Sequence, residues 1–373
     1  MNRIIGFDVA RALAIGLVVL SHIDQGSHEL GIYGVELFFA LSGFLIGTIL
    51  YRCVPEEGKW TLGGVANFWK RRWWRTLPNY YLFLLIAIVY HSSVGELPEG
   101  GVGGVLPYLV FSQNLMSPNE VFYGPSWSLC VEEMFYLLFP LLVLLFHRAT
   151  GSRIGAFAIA GTVLVLSTTA LREVVFAHYL PTDARVTTLP RLDAIGYGVA
   201  MAVLTQVYSL SQNQRKALAA LGGVILIAVT GLHAVVAVVD EVIWFHRLAL
   251  IAAPLSFSLA MPLLATWEAL PVRLSRLSIP ITRISQWSYS IYLSHYIIIM
   301  AVYPLFGSLR ESTVINLFSK VVGLVVTLIV SRLVFRHFES RFTSMRPAEI
   351  HVAAPDSPRE SSRLESPAVM PGN

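Results

Sequence analysis

The sequence predicts an all-α membrane protein: a bundle of about ten transmembrane helices with both termini in the cytoplasm. Three observations carry this. Only 13% of the 373 residues are charged; an ordinary soluble domain has about 25%, so this chain lacks the charge to cover a globule with a polar surface. Mean hydropathy is +0.63, and long apolar runs recur from end to end. The basic residues gather in alternate connections between those runs.

The runs lie at about 8–24, 32–51, 78–91, 130–147, 154–171, 189–207, 217–236, 247–267, 286–306 and 314–335. The third is short, and about 105–116 reads as an extra short or re-entrant segment. With the N-terminus inside, the outer segments keep only Arg172, Arg185, Arg191, Arg247 and Arg310, and Lys320 falls within the last span. The other Lys and Arg side chains are cytoplasmic, which is the positive-inside bias. It accounts for the net charge of +4 and the pI near 9.1 without any nucleic-acid partner. The first run resembles a signal-anchor that stays in the protein. Cys53 and Cys130 form no metal or redox motif, and the topology puts them on opposite sides, so no disulfide is expected. Residues 1–340 are expected to form the membrane-embedded domain. Residues 341–373 form a cytoplasmic tail, rich in Pro, Ser and Glu from about 347, that cannot bury a core and should be disordered. Any chemistry therefore falls to residues embedded in the membrane.

The polar residues inside the spans come next. "RALAIGLVVLSH" places Arg11 and His22 eleven steps apart. At about 100° and 1.5 Å per residue they share a helix face and sit roughly 16 Å apart. An ionisable group at such depth faces a protein interior or a water-filled path; a bland reading is an interface anchor plus a histidine bonded to a neighbouring helix. In "GVELFFALSGFLIG", Ser42 and Gly43 make a small polar break, suited to close helix packing or to backbone access for a ligand chain. In "NFWKRRWWRTLP", Arg72 and Arg75 are three apart on one face. They are either a topology anchor or a pair of guanidinium forks suited to phosphates.

"PSWSLCVEEMFYLLFP" opens an apolar helix with Glu132 and Glu133, whose side chains diverge by about 100°. A carboxylate near a helix start is favoured by the dipole; one facing inward, beside an imidazole, would fix its tautomer. "RLDAIGYG" sets Arg191 and Asp193 at an outer mouth, and "SYSIYLSH" places Tyr289, Tyr292 and His295 at steps of three. Tyrosines in spans also serve as belt or packing residues. Arg283 and His295 echo the first span, but at twelve positions they are roughly 120° out of phase, so no internal repeat is inferred.

Seven motifs, in order across about residues 4–340, resemble acyltransferase family 3, the integral-membrane acyltransferases. They are "FDVARALAIGLVVLSH", "GVELFFALSGFLI", "FWKRRWWRTLP", "PSWSLCVEEMFYLLFP", "RLDAIGYG", "SYSIYLSH" and a terminal "FES". The resemblance implies an enzyme that transfers groups other than aminoacyl groups. It would move an acyl group, usually acetyl, from acyl-CoA onto a hydroxyl of a cell-surface or exported carbohydrate, at a bacterial cytoplasmic membrane. Small-molecule acceptors such as antibiotics are the family's other class. Arg11, His22 and Glu132 match its functional positions. The catalytic residues would then be His22 and Glu132. The donor would be held by Arg11, Ser42, Gly43, Arg72 and Arg75, and the acceptor by Trp127, Ser128, Tyr136, Arg191, Asp193, Tyr289, Tyr292 and His295. No metal and no permanently bound cofactor are expected; acyl-CoA is a co-substrate, and the partners are membrane lipids and the carbohydrate. The competing classes are a glycan or lipid transporter, which would move substrate without consuming acyl-CoA, and a non-enzymatic scaffold, which would tolerate alanine at His22 and Glu132.

Overall fold

The computed structural model describes residues 3–24, 28–118, 122–180, 183–236 and 243–348. Among these the chain is helical and has no strand. Its elements are α1 (Ile5–Ile23), α2 (His28–Cys53), α3 (Leu62–Val94), α4 (Val102–Leu109), α5 (Ser126–Thr150), α6 (Arg153–His178), α7 (Asp193–Val207), α8 (Gln212–Val236), α9 (Ile243–Leu264), α10 (Ser278–Val302), α11 (Thr313–Val334) and α12 (Ser340–Ser344). Nine helices among the described residues are long and apolar enough to cross a bilayer. Together with the shorter α7 they correspond to the ten runs. The expected disordered tail falls almost wholly on residues 349–373, outside the described ones; α12 carries the helix as far as Ser344.

Two elements depart from the hydropathy reading. The third span does not start at 78. α3 begins at Leu62, where the Thr61 Oγ1 accepts from the Gly64 N–H at 3.4 Å, and ends at Gly95, whose φ of 77° is the left-handed turn that glycine allows. Its 33 residues are roughly 50 Å long, more than the hydrocarbon thickness, so the basic, Trp-rich stretch is helix. Pro78 lies inside it. Conversely α7 has 15 residues, roughly 22 Å, preceded by a 3₁₀ turn at Leu189–Arg191. α4 is shorter still, in the place of the extra segment.

α2 is the centre of the bundle, packed between α1 and α7, and α10 packs on α1 and α11. The α2–α7 crossing is close because Gly43 meets Gly198: a β-carbon on Gly43 would come within 3.0 Å of the Gly198 Cα and collide with the Ile195 carbonyl oxygen. Two ion pairs lock the same region. Arg191 donates to the Glu36 carboxylate and to the Leu250 carbonyl (3.0 Å), and Arg172 donates to Asp193 at 2.7 Å; all four residues are at most 2% exposed. α6, α8 and α11 turn apolar faces outward, as lipid contact requires.

Candidate active site

The inward faces of α1, α2, α3, α5 and α10 enclose a cavity of about 130 Å³, lined among others by Arg11, Ser42, Arg72, Arg75, Glu132 and Tyr292. Its polar groups form a chain in which each hydrogen has one destination. Arg72 Nη2 donates to the Tyr136 hydroxyl (2.6 Å) and to Glu132 Oε2 (3.2 Å). The Tyr136 hydroxyl donates to the same carboxylate (2.9 Å) and accepts from Ser42. The Arg72 guanidinium also lies 4.2 Å from the centre of the Tyr136 ring. Arg11 is steadied by Asp8, one turn earlier on α1, at 3.6 Å. Asp8 is itself buried and accepts from Arg3 and, at 2.7 Å, from Ser285 of α10.

Arg75 lines this cavity and is exposed; among the described residues it makes no hydrogen bond or close ion pair, and Glu339 is the carboxylate whose charge reaches it. Three guanidinium groups thus face one lining carboxylate. The same end of α3 carries Arg71, which donates to the Pro347 carbonyl (2.7 Å). Beside it stands Arg346, whose pKa is held below the ordinary arginine value by burial and by the Arg71 and Arg72 charges. Such a concentration of guanidinium attracts an anion, and paired forks suit phosphate oxygens.

A second cavity, of about 380 Å³, contains His22 and His295, with Trp127, Asp183 and Arg185 among its walls. Val35 and Tyr292 line both cavities, so the two abut there. The Tyr292 hydroxyl is hydrogen-bonded to Ser128 at that junction. The two imidazoles stand edge to face, ring centres 4.9 Å apart. His22 Nδ1 lies 2.8 Å from the Val18 carbonyl oxygen, which also accepts from Ser21. His295 Nδ1 lies 3.1 Å from the Ile291 carbonyl. A carbonyl only accepts, so each Nδ1 carries the hydrogen and each Nε2 keeps its lone pair. His295 Nε2 is buried with no hydrogen-bond partner among the described residues.

The structure therefore gathers most of the residues expected from sequence, but in two groups. Arg11, Ser42, Arg72, Arg75, Ser128, Glu132, Tyr289 and Tyr292 line the first cavity, with Tyr136 bonded into it. His22, Trp127, Tyr292 and His295 line the second. Four expectations are corrected. Glu132 does not hold the His22 tautomer: its partners among the described residues are Arg72 and Tyr136, and the Val18 carbonyl does that work. Gly43 faces α7, where it serves packing, and lines neither cavity. Arg191 and Asp193 line neither cavity, because each is consumed by an ion pair to a neighbouring helix. Missing from the sequence reading were Asp8, which the i,i+3 spacing to Arg11 signals, and Thr76, which lines the cavity and donates to Glu133 at 2.9 Å.

A family model described as an acyltransferase domain matches residues 4–336. Among curated proteins, the chain is 26% identical over 356 residues to O-acetyltransferase OatA of Staphylococcus aureus, covering 90% of this chain and 56% of that protein. It is 29% identical over 228 residues to the putative peptidoglycan O-acetyltransferase YrhL of Bacillus subtilis, covering 56% of this chain and 34% of that one. Against the peptidoglycan O-acetyltransferase OatA of Listeria monocytogenes the figure is 31% over 153 residues, or 38% and 24% of the two chains. The chain spans about half the length, or less, of these relatives. No solved structure matches it.

Proposed function

This chain belongs to acyltransferase family 3, and from that premise we propose that it transfers an acyl group, acetyl in the first instance, from acyl-CoA to a hydroxyl of a carbohydrate outside the cytoplasm. The observation that carries the reading is the meeting, at Val35 and Tyr292, of a guanidinium-lined cavity with a cavity that holds two imidazoles edge to face. Names of relatives support acetyl as the group and peptidoglycan as the kind of acceptor. The basic end of the bundle faces the cytoplasm on the positive-inside rule. The membrane is the bacterial cytoplasmic one.

On this reading the nucleotide phosphates of the donor lie at Arg72 and Arg75, and its pantetheine arm runs inward past Arg11. Arg11 and His22 are roughly 16 Å apart along α1, a length such an arm spans. The acceptor enters the second cavity from the far side. His22 Nε2 takes the proton of the acceptor hydroxyl as its oxygen attacks the thioester carbonyl carbon. The C–S bond breaks, and the proton passes from the imidazolium to the departing sulfur. Holding the two substrates end to end between the cavities supplies much of the rate. Glu132 tunes the donor end: it keeps Arg72 and Tyr136 in place and makes no ion pair with Arg75.

The direct test is transfer of label from radiolabelled acetyl-CoA to a peptidoglycan fragment by the protein in nanodiscs, read as an alkali-labile ester. Consumption of no donor while glycan crosses the bilayer would replace this reading with transport. Arg75→Ala should raise KM for acetyl-CoA by roughly tenfold or more, the loss of a hydrogen bond to a charged group, with kcat little changed. An unchanged KM moves the phosphates elsewhere.

A further inference from the structure

A third cavity lies on the same side of the bundle as His22 and belongs to neither of the two above. It occupies about 500 Å³ between the end of α3, the short α4 and the end of α10, and its walls include His91, Glu96, Glu99, Tyr108, Gln113 and Phe122. α1, α3 and α10 each cross in the same direction by their order in the chain, so their C-terminal ends share a face. Two segments run from the new cavity to the imidazole cavity, although no lining residue is common to both. Phe122 lines the one and Gly124 and Pro125 the other, within a segment tied down by Gln113 Nε2 donating to Ser126 (3.1 Å). On α10, Met300 lines the one and His295 the other, roughly 7.5 Å apart along the helix.

Its chemistry points to a ligand. His91 is 3% exposed, yet neither ring nitrogen has a hydrogen bond within range among the described residues; the Glu96 carboxylate, at an ion-pair distance of 3.8 Å from Nδ1, and the Phe122 backbone approach it without closing one. Gln113 Oε1 is likewise buried and unpartnered. Buried polar groups in folded proteins are nearly always satisfied, so exceptions that converge on one cavity ask for a partner. Around them stand aromatic faces: the Phe122 ring is 4.9 Å from His91 and 5.2 Å from Tyr108. Unmet donors and acceptors beside aromatic rings suit a pyranose, which offers hydroxyls on its rim and C–H groups on its face. The walls hold no Lys or Arg among the described residues, and two carboxylates, so a phosphate or other anion is disfavoured.

We propose that this cavity is a second sugar subsite, which takes an uncharged or N-acetylated ring of the glycan next to the ring that is acylated at His22. The proposal rests on the carbohydrate acceptor argued above. It makes the protein select a chain of sugars over a single one, because the second ring adds affinity only when it is linked to the first.

Binding is measured directly with the full chain in nanodiscs, without turnover, using fluorescently labelled N-acetylglucosamine and its β-1,4-linked pentamer. The pentamer should bind at least tenfold tighter than the monomer. The paired change His91→Ala with Gln113→Ala should remove that advantage and leave the monomer unaffected. Glu99→Trp, at an exposed rim position that does not disturb the interior, should do the same by filling the mouth, and it decides the matter where the paired variant does not fold. Equal binding of pentamer and monomer by the unaltered protein, or a pentamer advantage that survives Glu99→Trp, overturns the subsite. Acetyl transfer is followed in parallel: a pentamer that binds through these residues but is never acetylated overturns the acyl-transfer reading and leaves the subsite standing.

Discussion

His22→Ala should lower kcat for acetyl transfer by roughly 10²–10⁴-fold, the usual worth of a general base, with the helix bundle intact. The physical reason is local. With Nδ1–H committed to the Val18 carbonyl, 2.8 Å away, Nε2 is the ring nitrogen that takes up the proton. Alanine removes the acceptor nitrogen and leaves a carbonyl that still makes its ordinary helix bond. Glutamine at the same position can occupy the space but cannot carry a proton near neutrality, so it should be as inactive as alanine. The comparison is made at saturating acetyl-CoA with KM for the donor unchanged, since the phosphates lie at the other cavity. Full activity in either variant would sink the mechanism.

Arg191→Met carries the second large effect, and it is on folding. Glu36 would be left buried at 2% exposure without its counter-charge, at a cost of about 3–5 kcal/mol. Yield from membranes and thermal stability in detergent should fall together. Arg191→Met combined with Glu36→Leu removes both charges and should recover most of the stability, since an apolar pair is tolerated where half an ion pair is not. If Arg191 bound substrate, the double variant would fold yet lose activity. Recovery of both stability and turnover supports a structural role.

These two residues show how far the sequence could be read. Hydropathy found the bundle because lipid demands apolar surface, and it found Arg11, Ser42, Arg72, Arg75 and Glu132 because polar groups at that depth need a purpose. It could not say which purpose. Arg191 and Arg75 look alike in a string of letters; one is held in a close buried ion pair by Glu36 on another helix, and the other lines a cavity with no close ion pair among the described residues. The start of α3 was hidden for a related reason. Hydropathy reports contact with lipid, whereas helix formation also suits Lys, Arg and Trp at the membrane interface. The pairing of His22 with His295 was beyond any spacing argument, as it depends on how α1 and α10 are rotated against each other. His91 is not legible in the sequence, since its significance is the lack of a hydrogen bond in range among the described residues.

One helix touches all three of the cavities described above. α10 presents Tyr289 and Tyr292 to the donor cavity, His295 to the imidazoles and Met300 to the third cavity. The separations between these stations are thus counted in residues on a single rod, and each residue also sets a rotation of about 100°. A one-residue insertion or deletion between Tyr292 and Met300 would turn the later stations away from their compartments, and no adjustment of a loop could restore the register. Length within this helix is as much a part of the site as any side chain.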